Sequence, residues 1–192
     1  MRRLAALVLP ALLAWAALPA AAAPADPLVQ VSDPTGDVHV YAGVHHLSGR
    51  QLRSIDVSDV TLTPVGDDGS VRLSVTVARL TGSKRFDQLV LVELLPPAGS
   101  GQGWHASIGF SPQHHDWAYA DRYLDDEGHY RGCEPLQSRS RRGTTVQLDV
   151  PARCVPPQPT TIRVDTYTGL FRTDASPSSH DRVRVPGSYD LR

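Results

Sequence analysis

Residues 71–77 alternate without a break. Val71, Leu73, Val75 and Val77 are apolar, and Arg72, Ser74 and Thr76 stand between them. Side chains on an extended chain point to opposite faces with a period of two, so this stretch predicts a strand with one face buried and one face wet. Such a strand needs antiparallel partners that share its dry face. The same alternation returns at Trp104, Ala106, Ile108 and Phe110, at Val146, Leu148 and Val150, and at Ile162 and Val164 with Thr166 in phase. Beyond the N-terminal segment no stretch sustains a 3.6-residue period. The chain is therefore read as all-β.

The remaining strands follow from apolar runs bounded by turn residues. Leu28–Ser32 and Val38–Tyr41 are short extended pieces flanking Asp33-Pro34-Thr35-Gly36-Asp37. In Ser54–Pro64 the apolar residues switch from odd positions (Ile55, Val57) to even ones (Val60, Leu62), which places a bulge near Ser58-Asp59. Asp67-Asp68-Gly69 is a hairpin signal joining this run to Ser70–Leu80. Leu89–Leu95 is nearly all apolar and reads as a central strand. Trp117–Leu124 is a further strand. Val183 and Val185 form a short edge strand ended by Pro186-Gly187. About eight to ten strands at this spacing indicate an antiparallel β-sandwich, jelly-roll or immunoglobulin-like.

The N-terminus has the layout of a secretion signal. Arg2 and Arg3 precede an apolar run from Leu4 to Leu18, and Ala20-Ala21-Ala22 satisfies the small-residue rule for cleavage. The run falls short of the ~20 residues that a spanning helix needs. The reading is a signal peptide over 1–22 and one secreted domain over 23–192. The 19 basic and 20 acidic residues nearly cancel, and losing Arg2 and Arg3 shifts the balance only to about −3. That excludes a basic field for nucleic acid or a polybasic membrane tether. In an oxidising compartment the two cysteines, Cys133 and Cys154, are expected to form one structural disulfide.

Asp33-Pro34-Thr35-Gly36-Asp37, followed by Ser54-Ile55-Asp56-Val57, Val60-Thr61-Leu62 and the alternating strand Val71–Val77, resembles the small exported β-sandwich proteins of actinobacteria. These in turn resemble DOMON domains and the ninth family of carbohydrate-binding modules. The later Val146–Cys154 and Thr161-Ile162-Arg163-Val164 stretches fit the same group. The resemblance implies a β-sandwich whose better-known relatives bind sugars, sometimes with a structural calcium, or bind haem.

Three sets of residues are candidates for a site. Asp33, Asp37 and Asp56 place carboxylates on and beside a turn, the donor type that calcium takes. The competing reading is an Asx-turn in which Asp33 bonds its own backbone. Trp104, Trp117, Tyr119 and Tyr123 are the aromatic residues of a sugar-stacking face, or else ordinary core. The histidines His39, His45, His46, His105, His114, His115, His129 and His180 are the donors of any metal or haem site. Met1 is the only methionine and leaves with the leader, so Met–His haem ligation is excluded in the mature chain. No G-x-S-x-G elbow or paired glycosidase carboxylates are present, and the chain is not read as an enzyme. The expected function is a secreted, monomeric, non-catalytic binding module for carbohydrate or another cell-envelope ligand, with calcium as the one cofactor considered. The alternatives are an exported surface protein acting through protein–protein interaction and, more weakly, a DOMON-like metal or haem domain.

Overall fold

The structure is a computed structural model, and it describes residues 25–40, 48–80, 88–96, 105–110, 118–123, 130–133, 138–168 and 179–192. The leader over 1–22 lies outside the described residues. Strands are numbered in chain order. Val57–Val65 (β3) and Ser70–Val77 (β4) form the expected hairpin, with Val60 opposite Val75 and Leu62 opposite Leu73. The face switch read near Ser58 is a register shift between Val57 and Asp59. It lets Val57 and Val60 both bury, although they are an odd number of residues apart.

The hairpin anchors a five-stranded antiparallel sheet. Its order is Val29–Ser32 (β1), β3, β4, Thr145–Val150 (β10) and Ser138–Arg142 (β9). The second sheet has seven strands. Its order is His39–Val40 (β2), Ser179–Tyr189 (β12), Thr160–Thr168 (β11), Gln88–Leu95 (β5), His105–Phe110 (β6), Ala118–Tyr123 (β7) and Tyr130–Gly132 (β8). β5 is the middle strand of the seven, as its apolar run suggests. The inward residues of both sheets make one core: Leu62, Leu73, Val75 and Leu148 from the first, and Val92, Leu94, Ile108, Val164 and Val183 from the second.

Several expectations are revised. β12 is not a short edge piece ended by Pro186-Gly187. It runs through them to Tyr189, with Thr160 opposite Tyr189 and Ile162 opposite Val185. The register shift there absorbs the Pro-Gly pair, which is one of the few ways a sheet tolerates proline. Two further strands, β8 and β9, carry almost no apolar residues and so left no periodic signal. The polar stretch before Arg50 ends in a one-turn helix, Gly49–Leu52 (α1), started by a capping box between Ser48 and Gln51.

The expected disulfide is not formed. Cys133 follows β8, and Cys154 lies in a 3-10 turn, Ala152–Cys154. The fold brings them together as the loop closure required, yet both are free thiols with sulfurs 2.9 Å apart. A disulfide bond is about 2.0 Å long. The Cys154 thiol donates to the Cys133 carbonyl at 3.2 Å. Burial pushes its pKa up, which keeps it protonated. The contact is therefore held by packing and hydrogen bonding among the buried residues.

Leu73 is 1% exposed at the centre of the core. Truncating it, Leu73→Ala, is expected to lower stability by about 2–5 kcal/mol. Urea unfolding checks this as a fall in midpoint at unchanged m-value.

Candidate functional site

Ser54, Ile55 and Asp56 enter the interior ahead of β3, which begins at Val57, and all four residues are buried. Buried backbone groups need partners, and this segment reaches only part of a strand ladder. The Ser54 and Ile55 amides donate to the Gln51 and Leu52 carbonyls, and the second sheet supplies further partners through side chains. Gln88 Nε2 donates to the Ser54 carbonyl at 2.6 Å, and Thr166 Oγ1 donates to the Ile55 carbonyl at 2.5 Å. The Val57 amide donates to Asp181 Oδ2 at 2.7 Å. The three side chains come from adjacent strands, β5, β11 and β12, and Thr166 and Asp181 are direct cross-strand partners.

Asp181 is thereby fixed in the interior, 4% exposed, with its other oxygen accepting the Arg182 amide at 2.8 Å. The Asp33–Asp37 turn is brought over it by topology. β1 pairs with β3 in the first sheet, and β2 pairs with β12 in the second, so the turn between them crosses from one sheet to the other. The Asp33 amide donates to the Ser58 carbonyl at 3.1 Å. The Gly36 amide donates to both oxygens of Asp56, at 3.1 and 3.0 Å. Gly36 has φ +92°, a left-handed conformation that a side chain would strain.

The result is an acidic corner. Carboxylate oxygens of Asp33, Asp37 and Asp181 all lie within 4.8 Å of one another. Asp56, expected as the third member, is spent on holding the turn, and Asp181 takes its place. Asp33 Oδ2 is shielded from solvent and has no hydrogen-bond partner. Burial raises the Asp33 pKa, and the negative charges of Asp37 and Asp56 raise it further. Asp56 is also raised, by burial and by Asp37, against the opposing Gly36 amide and Arg53. Asp181 is pushed up to about 6, first by burial and then by Asp33 and Asp37, despite the two amides it accepts. Two oxygens on one calcium ion, each 2.3–2.6 Å from it, lie at most about 5 Å apart. The separation in this corner fits that limit.

The signal for Asp181 was in the sequence. It sits in phase with Val183 and Val185, and a carboxylate at an inward position of an alternating strand needs a reason. Reading the strand as starting at Val183 hid it.

The other candidates do not assemble in the same way. Among the histidines, His39 and His180 are cross-strand partners with ring centroids 5.2 Å apart. Among the described residues no metal-ligating group of three includes a histidine. His45, His46, His114, His115 and His129 lie outside the described residues, as do Trp104 and Trp117. Strand β7 presents Ala118 and Ala120 to the core, so Tyr119 stands on the opposite face. Its ring covers Gly109, where a Cβ would come within 2.2 Å of Tyr119 Cε1. Tyr123 pairs along the backbone with His105 and Tyr130. Among the described residues no helix is long and apolar enough to cross a membrane.

No protein-family model, characterised protein or solved structure matches this chain.

The corner's titration sets a direction for stability. A carboxyl whose folded pKa lies above its unfolded value binds protons more tightly when folded. Its destabilising effect is complete above the folded pKa and disappears as pH falls below the unfolded one. In chelator, stability is therefore expected to rise as pH falls from about 7 towards 4, Asp181 contributing up to about 3 kcal/mol at ~1.4 kcal/mol per pKa unit. Urea unfolding across this range checks it, and the profile flattens in Asp181→Asn.

Proposed function

We propose that this chain is an exported, non-catalytic β-sandwich module that holds a divalent cation, calcium by its all-carboxylate donor set, at Asp33, Asp37 and Asp181. The observation that carries this reading is Asp33, whose Oδ2 is solvent-shielded and without a hydrogen-bond partner, standing in a cluster with Asp37 and Asp181 whose carboxylate oxygens lie within 4.8 Å of one another. A bound cation supplies the missing partner and offsets the mutual repulsion of the three charges. Its role is to lock the turn that crosses between the sheets. Export rests on the leader at 1–22, and the jelly-roll or immunoglobulin-like class rests on the strand pattern and the two sheets around one core. The resemblance to DOMON domains and family-nine carbohydrate-binding modules supports a carbohydrate or other cell-envelope ligand. Tyr119, on the face of β7 away from the core, is the aromatic residue that favours it.

Calcium at about 100 times its Kd is expected to raise the unfolding midpoint by roughly 5–10 °C, from ~2.7 kcal/mol of linkage at 2–4 °C per kcal/mol. Asp33→Asn is expected to remove the shift, with circular dichroism checking that the variant folds; its Oδ2 accepts no hydrogen bond that the change would break. A midpoint unmoved by Ca²⁺, Mg²⁺ and Mn²⁺ in the unsubstituted protein would rule the site out.

A further inference from the structure

One row of side chains on the outer face of the seven-stranded sheet carries imidazoles on neighbouring strands. Tyr167 on β11 is the cross-strand partner of His180 on β12, and His180 is the partner of His39 on β2. Thr166 and Asp181 point inward, so the residues beside them, Tyr167 and His180, stand on the opposite pleat face. The His39 and His180 ring centres are 5.2 Å apart, with the rings tilted by 48°. The Tyr167 ring centre lies 6.4 Å from His180, on the β11 side. The charged groups that act on His180 besides His39 are Arg182 and Asp165. These two are paired with each other, Arg182 Nε donating to Asp165 Oδ1 at 2.5 Å.

The separation of the two imidazoles is the one that a shared metal ion produces. A ligating ring nitrogen sits about 2.0–2.1 Å from zinc or a similar ion and the ring centre about 1.1 Å behind it, so each centre is about 3.2 Å from the metal. Two centres 5.2 Å apart then subtend roughly 110° at the ion, close to the tetrahedral angle. The ion takes one nitrogen of each ring. Each histidine also makes a further interaction besides this ring contact. A ligating imidazole ordinarily keeps a partner on its second nitrogen, which fixes the ring.

We propose that His39 and His180 form a two-histidine site for a late first-row transition ion, copper(II) first and zinc(II) after it. Imidazole is a nitrogen donor that suits both ions, and copper(II) stands at the top of the affinity order. The pair supplies two of the ion's positions. An ion held there clamps β2, which joins β12 through the pairs Ser179–Val40 and His180–His39. The acidic corner differs in donor chemistry, since Asp33, Asp37 and Asp181 offer hard oxygens of the kind calcium takes. The two sites share no donor, so they stand or fall separately.

The competing account is that the two rings are a cross-strand packing pair and nothing more. Titration of the mature chain with copper(II), read by calorimetry and by electron paramagnetic resonance, separates the two. The tightest copper site is expected to take one ion and to show coupling to at least two imidazole nitrogens. His39→Gln and His180→Gln should each weaken that site by at least the ~10–100-fold that losing an outer-shell partner costs. Each should also remove one nitrogen from the spectrum. His39 is exposed, so its variant should fold, and circular dichroism checks that both variants have. Asp33→Asn should leave copper binding unchanged. The absence of saturable copper binding would overturn the proposal. So would a tightest site whose affinity and nitrogen coupling are the same in the folded histidine variants as in the parent. Loss of copper binding in Asp33→Asn would place the ion in the acidic corner and overturn it as well.

Discussion

The structure depends on how four residues, Ser54 to Val57, cross the interior without leaving buried backbone groups unpaired. Three of them are buried before β3 begins at Val57, so the first sheet cannot satisfy all of them. Gln88, Thr166 and Asp181 reach across from the second sheet to do so. A buried amide or carbonyl without a partner costs about 1–3 kcal/mol. These three side chains therefore act as rivets between the sheets and help to set their relative position at this end. Hydrophobic packing alone sets no such register, because it is not directional.

One rivet is a carboxylate, and that choice has consequences. A neutral side chain would satisfy the Val57 amide at no electrostatic cost. Asp181 instead brings a charge into the interior, and the crossing turn sets Asp33 and Asp37 against it. The corner is thus unfavourable at neutral pH unless something positive joins it. Topology explains why it exists in this place. β1 and β2 are adjacent in sequence but belong to different sheets, so the turn between them must pass over the end of β12. Asp56 fixes the turn's height through the Gly36 amide, and Asp181 sets the floor beneath it.

Much of this was legible in the sequence. The alternation at Val71–Val77, the hairpin at Asp67-Asp68-Gly69, the bulge near Ser58 and the central place of Leu89–Leu95 all follow from side-chain period and turn chemistry. Asp33 and Asp37 were recognisable as a pair. Asp181 showed only its phase with Val183 and Val185, and Gln88 showed nothing, because their roles are set by partners 124 and 34 residues away. Periodicity reports which face a residue occupies, not what meets it there. Pro186-Gly187 misled for a related reason. Locally it signals an end, and only the pairing of Thr160 with Tyr189 shows that the strand continues. The cysteines were correctly paired in space. Their expected bond came from compartment and count, and neither sets the distance between sulfurs.

The central claim is that a cation completes the corner and locks the turn across the two sheets. Amide hydrogen exchange at Gly36 and Val57, followed by NMR with and without calcium, addresses it directly. The Gly36 amide bonds to Asp56 and the Val57 amide to Asp181, so each reports one wall of the corner. The account predicts that calcium slows exchange at Gly36 strongly and at Val57 further, with core amides such as Val75 changing less. Exchange at Gly36 and Val57 that is the same in calcium and in chelator would contradict it.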